Sequence, residues 1–407
     1  MNESAPHFLH PVSMSDFYAM YWEQQPLHIQ RETGDVGHYI DLAAIEALLS
    51  SQPVYFPGIQ LTHSGHTIDV ASYADEQNRI LPLRLFEHYG KGATVVLSQA
   101  QKLFAPLNNL CREVMRTMKM RCQTNVYLSP PAHQGFNAHY DTHDVFIIQV
   151  SGAKTFNFYP SNVSLPCPEE RFDPQTLAAM DVDESIHLTA GDTLYIPRGV
   201  VHDALADDSE PSIHITLGVY PVLARDMLQE AIQIMSEGDS RLRQSRQSIS
   251  LPAENTDTGE EIQGDRLRQA LGSLLQNVQT WLDDAESIRR IQSRFDDELA
   301  LGALQDCQGL SSRASAAHSH EGKIPDIQAI HLRRDRLIDH EYCSGRLKIR
   351  TFGQILEFSE PIAHYIEKLL STGELSGGEL SGLQVEQRDA AIKPLLQANL
   401  VDLISET

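Results

Sequence analysis

Between Arg121 and Tyr220 the hydrophobic pattern of the chain changes to a period of two. Short apolar runs alternate with turn residues there, as where Ser151-Gly152 ends the run from Asp144 to Val150. A period of two is that of a β-strand, and many short strands separated by Gly and Pro are typical of a sandwich or barrel. The segment therefore predicts an antiparallel β core.

The last predicted strand, residues 212–217 with its continuation to 220, suggests what this core encloses. Its apolar residues share one face: Ile213, Ile215, Leu217 and Val219. The other face carries His214, Thr216 and Gly218. A polar face within an otherwise apolar core indicates a small lumen that holds chemistry, as in jelly-roll cupins, although an ordinary solvent-facing side would give the same pattern.

The chain has 407 residues, which is long enough for two or three domains. Its predicted strands and helices together indicate the α+β class. Residues 1–225 are expected to form a double-stranded β-helix (jelly-roll) core with helices and strands added before it. Residues 226–320 are expected to be helical, with a flexible polar linker at 236–264. Residues 321–407 mix helical and strand signals and predict a winged-helix-like C-terminal domain.

A stripe of apolar residues from Leu267 to Leu299 follows spacings of three, four and seven, including Leu274 and Trp281. Such a stripe predicts a long helix with a heptad-like face, interrupted at Gln292. The face can pack within its own domain or against a second copy of the chain. We expect a homodimer through this region.

The charge balance bears on possible partners. There are 32 basic and 55 acidic residues, giving a net charge of −23. Such a surface favours a basic polypeptide and repels nucleic acid, although solubility alone would also explain it. Residues 321–407 carry 10 basic and 14 acidic side chains, a net charge of −4, which argues against DNA binding by the predicted winged helix.

Membrane insertion and secretion are also not expected. No stretch approaches the ~20 consecutive apolar residues of a membrane helix, and the first residues lack a basic and apolar signal. The five cysteines are scattered without a Cys-x-x-Cys pair, which is typical of reduced thiols. The sequence therefore predicts a cytoplasmic protein without membrane contact.

The pattern that carries chemistry consists of His139, Asp141 and, after a Gly-Asp-strand-Pro-Arg-Gly segment, His202. Residues two apart on an extended segment place their side chains on one face. Two imidazoles and one carboxylate form a facial triad that suits iron(II) and leaves positions for a bidentate 2-oxo acid and dioxygen. Zinc also accepts two His and one Asp, so the ligand types alone leave both metals open.

Other residues in this segment remain alternatives. His133 and His143 flank the pair, and His214 lies on the polar face of the last strand, but structural roles are more common for such residues. Lys154 follows the Ser151-Gly152 turn. A lysine that enters a barrel needs an anion, for which the far carboxylate of 2-oxoglutarate is suitable, whereas a lysine at a hairpin tip would lie in water.

The stretches HYDTHDVFIIQVSGAKTFNFYP (139–160) and GDTLYIPRGVVHDAL (191–205) resemble the JmjC-type ribosomal oxygenases of the cupin-4 group. FYAMYWEQQPLHIQR (17–31) and TNVYLSPPAHQGFNAHYD (124–141) are similar to the same family. The resemblance implies that His139, Asp141 and His202 are the metal ligands and catalytic triad. It implies a co-substrate pocket that contains Lys154, Asn125, Tyr127, Thr216 and His214. Gly218 departs from the family, whose members commonly carry Ser there.

The resemblance implies that iron(II), 2-oxoglutarate and dioxygen are used to hydroxylate an arginine- or histidine-type side chain of a ribosomal or other basic protein. Three alternatives remain at this stage. One is a tailoring hydroxylase of a ribosomally made peptide or free amino acid. Another is a non-catalytic cupin that recruits a partner, and the third is lysine demethylation.

Overall fold

Two units make up the molecule, Met1–Pro221 and Val222–Thr407. The computed structural model describes residues 5–31, 36–177, 181–245, 260–303 and 327–405. The first unit and the predicted domain of residues 1–225 share almost all of their residues. The predicted boundary at residue 320 and the middle of the predicted linker, residues 246–259, lie outside the described residues. The helices that flank this linker extend into both of its ends, to Gly238 and from Glu260.

Within its described residues the first unit has eleven strands and four α-helices. The strands are β1 (Leu27–Ile29), β2 (Ile59–His63), β3 (His66–Thr67), β4 (Thr94–Leu97), β5 (Arg121–Ser129), β6 (Asp144–Ser151), β7 (Lys154–Tyr159), β8 (Glu184–Leu188), β9 (Thr193–Ile196), β10 (Val201–Ala206) and β11 (Ser212–Tyr220). The helices are α1 (Met14–Met20), α2 (Leu42–Ser51), α3 (Pro82–Tyr89) and α4 (Ala105–Met118).

These strands form two antiparallel sheets. The larger has eight strands in the order β1-β9-β6-β11-β5-β4-β2-β3, and the smaller has the order β10-β7-β8. β7 and β10 pair over six residues, and β11 pairs with both β5 and β6. From β6 to β11 the chain crosses between the two sheets four times, at β6 to β7, β8 to β9, β9 to β10 and β10 to β11. This is the arrangement of a jelly roll. The predicted jelly-roll core is confirmed.

The central strands of the larger sheet are buried on both faces. Phe146 and Ile148 of β6 join the main hydrophobic core, which also contains residues of α1, α2 and α4. Val145 and Ile147 point the other way and pack with residues of the smaller sheet such as Phe156. Alternate side chains of a strand leave opposite faces, so one strand serves both cores. The space between the two sheets is where the functional residues lie.

The predicted division of β11 is also confirmed. Its apolar residues belong to the main core: Ile213, Ile215, Leu217 and Val219. His214 and Thr216 leave the opposite face and line a cavity between the sheets. A solvent-facing side for this strand is therefore wrong.

The second unit combines helices with two small sheets. Its described helices are α5 (Ala224–Gly238), α6 (Glu260–Leu282), α7 (Ala285–Gly302), α8 (Ile362–Thr372), α9 (Gly377–Leu380) and α10 (Val385–Gln397). Its strands are β12 (Ile327–Leu332), β13 (Leu337–Cys343), β14 (Arg346–Thr351), β15 (Gln354–Ser359), β16 (Glu374–Ser376) and β17 (Val401–Ser405). The sheet orders are β16-β12-β17 and β13-β14-β15, and α8 to α10 share their apolar core. A winged-helix assignment for this part stays a prediction.

The predicted long helix is two helices, and its break lies at Asp283-Asp284 rather than at Gln292. The Asp284 carboxylate accepts a hydrogen bond from the backbone N–H of Ser287 at 3.1 Å, so it caps α7. Trp281 and Phe295 pack against a small cluster that α5 and α7 build. Part of the predicted stripe is therefore covered within the chain itself. Among the described residues, no helix has the length and apolar character needed to cross a membrane.

Candidate functional site

Three of the predicted residues meet at one point between the sheets. His139, Asp141 and His202 each offer a ligand atom, and these atoms all lie within 4.8 Å of one another. The two imidazole ring centroids are 4.9 Å apart. This is the spacing expected of groups that surround a single metal ion, whose bonds to nitrogen and oxygen are about 2 Å long.

Backbone hydrogen bonds fix this arrangement. The N–H of His139 donates to the carbonyl oxygen of His202 at 3.0 Å, and the N–H of His202 donates to that of His139 at 2.8 Å. The two residues thus form one directly paired antiparallel bridge. The Gly199 N–H donates to the Asp141 carbonyl oxygen at 3.0 Å, which ties the turn before β10 to the third residue of the group.

Each imidazole is oriented through its Nδ1 atom. In His139 the Nδ1–H donates to the carbonyl oxygen of Asn137 at 2.8 Å, and in His202 to that of Val200 at 3.0 Å. A carbonyl oxygen only accepts, so each Nδ1 carries the proton and each Nε2 has a free lone pair. This is the form of histidine that binds a metal through Nε2.

Burial keeps His202 neutral. Desolvation is the main cause that lowers its pKa to about 4, the nearby His139 lowers it further, and the Asp141 carboxylate opposes the shift. At neutral pH the imidazole is therefore unprotonated at Nε2 and available as a ligand.

A cavity of about 320 Å³ opens beside these residues. It is lined by residues of both sheets and of the loop before His139: Thr94, Tyr127, Gly135, Phe136, His139, Asp141, Ile147, Lys154, Phe156, His202, Asp203, Ala204, His214 and Thr216. Of the predicted pocket residues, Lys154, Tyr127, His214 and Thr216 are in this group. The cavity is large enough for a small dicarboxylate beside a metal ion.

Lys154 enters the cavity and is 3% exposed. Within the described residues its ammonium donates one hydrogen bond, to the Ser129 hydroxyl at 3.0 Å. Burial lowers its pKa to about 7. Its position excludes the alternative of a lysine at a solvated hairpin tip. A buried ammonium with a neutral partner fits an anionic ligand.

Aromatic groups form another wall of the cavity. The imidazole of His214 stacks on Tyr127 with ring centroids 4.7 Å apart and an angle of 5° between the planes. The pKa of His214 is lowered by burial and then by the charge of Lys154, so it stays neutral. Its Nδ1 is buried without a hydrogen-bond partner among the described residues. A polar ligand in the cavity would supply that partner.

Asn125, His133 and His143 belong neither to the metal-ligand group nor to the cavity lining. The Asn125 side chain accepts a hydrogen bond from the backbone N–H of Gln99 at 3.0 Å, outside the cavity lining. The His133 Nδ1 contacts the carbonyl oxygen of Pro131 at 2.6 Å, and His143 stacks on Tyr220. Neither histidine belongs to the metal-ligand group, so both alternatives to the triad have structural contacts instead.

Sequence reasoning missed Ser129 and the buried ion pair between Asp144 and Arg198, with Tyr195 bonded to it. Ser129, the partner of Lys154, ends β5 and gives no signal of its own. Asp144 and Arg198 form a buried ion pair at 2.9 Å, and Tyr195 donates a hydrogen bond to Asp144 at 2.6 Å. A signal for this pair was present in the sequence, because Asp144 and Arg198 both adjoin segments with the pattern of buried strands. A charged side chain that is buried requires a partner of opposite charge.

The JmjC domain family matches residues 97–227, a range that contains all three members of the triad and Lys154. Over 235 residues the chain is 32% identical to the bifunctional lysine-specific demethylase and histidyl-hydroxylase NO66 of Drosophila grimshawi, covering 55% of this chain and 31% of the relative. Over 208 residues it is 31% identical to ribosomal oxygenase 1 of Gallus gallus, covering 48% and 33%. The chain thus spans about a third of the length of these curated relatives.

Among solved structures, the chain is similar to the ribosomal oxygenase YcfD of Escherichia coli. The complex with cobalt and succinic acid is 14% identical, with a TM-score of 0.54 and coverage of 97% of this chain and 99% of that one. The complex with cobalt and 2-oxoglutarate is 15% identical, with the same TM-score and coverage. At this identity the likeness shows the fold, which extends over almost the whole chain.

Proposed function

Because residues 97–227 match the JmjC domain family, we propose that the chain is an iron(II)- and 2-oxoglutarate-dependent oxygenase that hydroxylates an amino-acid side chain of a protein. One observation carries the proposal. A facial His-Asp-His group shares one cavity with a buried lysine that has no anionic partner among the described residues. A zinc hydrolase needs the first feature but not the second, whereas a 2-oxoglutarate oxygenase needs both.

The residues of the site have different roles in the proposed reaction. The Nε2 atoms of His139 and His202 and the Asp141 carboxylate hold the metal and leave its other positions open. Lys154, with Ser129 beside it, binds the far carboxylate of the co-substrate. When bound, iron(II), 2-oxoglutarate and dioxygen supply an oxidant that inserts an oxygen atom into a carbon–hydrogen bond, with release of succinate and carbon dioxide.

The proposed substrate is a basic polypeptide, with a ribosomal protein as the first candidate and arginine or histidine as the target type. The net charge of −23 supports a basic partner. The names of the relatives, ribosomal oxygenase and histidyl-hydroxylase, point to the same class. We place the reaction in the cytoplasm, which is compatible with the free cysteines of the described residues, such as Cys111 and Cys167.

A homodimer through the α6 region is part of the proposal. Val278 is buried and Trp281 packs within the chain, whereas Leu271 and Leu275 are 47% and 67% exposed on the same helix. An exposed leucine pair that continues a buried stripe suits a contact with a second copy. DNA plays no part in the proposal.

The decisive experiment combines metal binding and turnover. Purified protein is supplied with iron(II), 2-oxoglutarate and ribosomal proteins, and succinate release and a mass gain of one oxygen atom are measured. We expect succinate release that requires both the metal and the polypeptide. His139→Ala should lower metal affinity by at least ~10²-fold and abolish turnover.

The matched control is His331→Ala, because His331 is a half-exposed histidine of the second unit that pairs with Glu374. It should retain metal affinity and turnover. Succinate release that survives removal of the metal, or in His139→Ala, contradicts the proposal.

A further inference from the structure

Only the first part of β11 lines the cavity. His214 and Thr216 line it, but Gly218, the next residue on the same face, does not. The His143 ring occupies that space instead: a Cβ atom at Gly218 would lie 2.7 Å from both Cδ2 and Nε2 of His143. Gly218 has no positive φ, so its backbone suits any residue. A side chain at 218 would therefore have to displace the His143 ring.

The His143 ring is held in place. It stacks on Tyr220 with centroids 4.7 Å apart and 13° between the planes. The next residue, Asp144, begins β6 opposite Val219 of β11 and is fixed by Tyr195 and Arg198. A ring confined in this way forms a wall, because neither its stacking partner nor its backbone can move aside without breaking these contacts.

The His143 ring lies near the triad, because His143 follows Asp141 by two residues. At the beginning of β11, the charge of Lys154 contributes to the lowered pKa of His214. Gly218, over which the His143 ring lies, is four residues further along β11 than His214, away from the Lys154 end. A side chain to be hydroxylated approaches the triad from the end away from Lys154, where His143 lies.

We infer that the His143 ring, seated over Gly218, closes the cavity beside the triad and sets the size of the target side chain that the site accepts. The inference rests on the proposed oxygenase function and adds a specificity-determining residue to it. A serine at this position would collide with the His143 ring unless residue 143 were smaller.

The packing is tested first, without any metal. Gly218→Ser should lower the melting temperature by roughly 2–10 °C, because overpacking destabilises a closed core. Combining it with His143→Ala should restore most of that loss. Gly272→Ser is the control, since a Cβ at Gly272 meets no atom within 4 Å. Equal loss in Gly218→Ser with and without His143→Ala overturns the inference.

Selectivity is tested with pairs of basic peptides that differ in one target residue: arginine against dimethylarginine, and histidine against methylhistidine. His143→Ala should raise the ratio of kcat/KM for the bulkier target over the smaller one about 10-fold relative to wild type. His143→Phe, which refills the space, should keep the wild-type ratio. Succinate release with an unchanged ratio in His143→Ala overturns this inference alone. A wild-type protein that releases no succinate with any peptide overturns the proposed function as well.

Discussion

Lys154 is a buried charged residue whose environment favours an anionic ligand. Its ammonium is buried and bonded only to the neutral Ser129 hydroxyl within the described residues. Burial without an opposite charge disfavours the protonated form, and the pKa falls from 10.5 to about 7. The ligand-free protein therefore retains a destabilising group, which is the usual consequence of a binding site built for an anion.

Lys154→Met should stabilise the ligand-free protein, and more so at lower pH. Between pH 7 and 10.5 the unfolded chain binds a proton on this lysine that the folded chain does not, so wild-type stability rises with pH across this window. Below pH 7 the cost of burying the charge is fully present. We expect a gain of about 1–3 kcal/mol in the free energy of unfolding at pH 6.5. Urea unfolding of both proteins at pH 6.5 and 9.5 measures it.

The gain should shrink at pH 9.5, and Lys154→Met should also lose affinity for 2-oxoglutarate in isothermal titration. Lys154→Arg serves as the control, because it keeps a charge that does not titrate in this range. A gain for Lys154→Met that is equal at both pH values would show that the lysine charge is not the destabilising group.

At the residue scale, the sequence predicted what depends on local spacing. His139 and Asp141 are two apart on an extended segment, so they had to share a face. The surroundings of Asn125 and Gly218 were not predictable, because distant parts of the chain decide them. Asn125 is engaged by the backbone at Gln99, and His143 fills the space above Gly218.

Among the elements, β6 and the turn before β10 are joined by a buried ion pair. Asp144 starts β6 and is fully buried, and Arg198 donates to it at 2.9 Å and to Glu23 at 2.6 Å. The Arg198 backbone belongs to the turn that leads to His202. This network therefore holds the turn that positions a metal ligand.

Asp144→Ala should lower the free energy of unfolding by about 3–5 kcal/mol, because it leaves the Arg198 guanidinium buried with one remaining carboxylate. Metal affinity should fall too, since His202 follows the same turn. Asp144→Ala with Arg198→Met should destabilise by less than the sum of the single changes. Chemical unfolding and metal titration measure both effects.

The matched control for this prediction is Asp239→Ala, which breaks the exposed pair with Arg241 at 2.6 Å. A surface pair of this kind contributes about 0–1 kcal/mol. If Asp144→Ala were as mild as Asp239→Ala, the network would not hold the turn.

The helices of the second unit mark the limit of periodicity as a predictor. The apolar stripe at residues 267–299 correctly predicted helical structure and its buried face. It did not predict the break between the two helices, because the helical spacing of apolar residues continues across a short interruption. The Asp283-Asp284 pair carried the better signal, because aspartate favours the N-cap and Ser287 follows at the capped position. Strands β12, β16 and β17 pair across segments that are distant in the sequence, so local sequence did not reveal their sheet.

At the scale of the whole molecule, oligomeric state should depend on the exposed leucines of α6. Leu271→Asp with Leu275→Asp should convert a dimer to a monomer in size-exclusion chromatography with light scattering, since charges in an apolar contact are not compensated. Trp281 is unsuitable for this test, because it packs within the chain.

Leu83→Asp is the control for this substitution, because Leu83 is 80% exposed and belongs to the first unit. It should leave the mass unchanged. A wild-type protein that runs as a monomer, or a dimer that survives both aspartates, contradicts the proposed interface.

The net charge of −23 should affect substrate binding rather than the rate of the chemical step. A basic polypeptide is attracted over distances comparable to the Debye length, which shrinks from ~30 Å at 0.01 M salt to ~8 Å at 0.15 M. The kcat/KM for a basic protein substrate should therefore fall several-fold over this range, through KM, while kcat at saturation stays nearly constant. Short peptides of the same target sequence with few flanking charges should respond less. An equal salt response of protein and peptide would place the electrostatic effect at the cavity, where Lys154 holds the co-substrate, and not on the acidic surface.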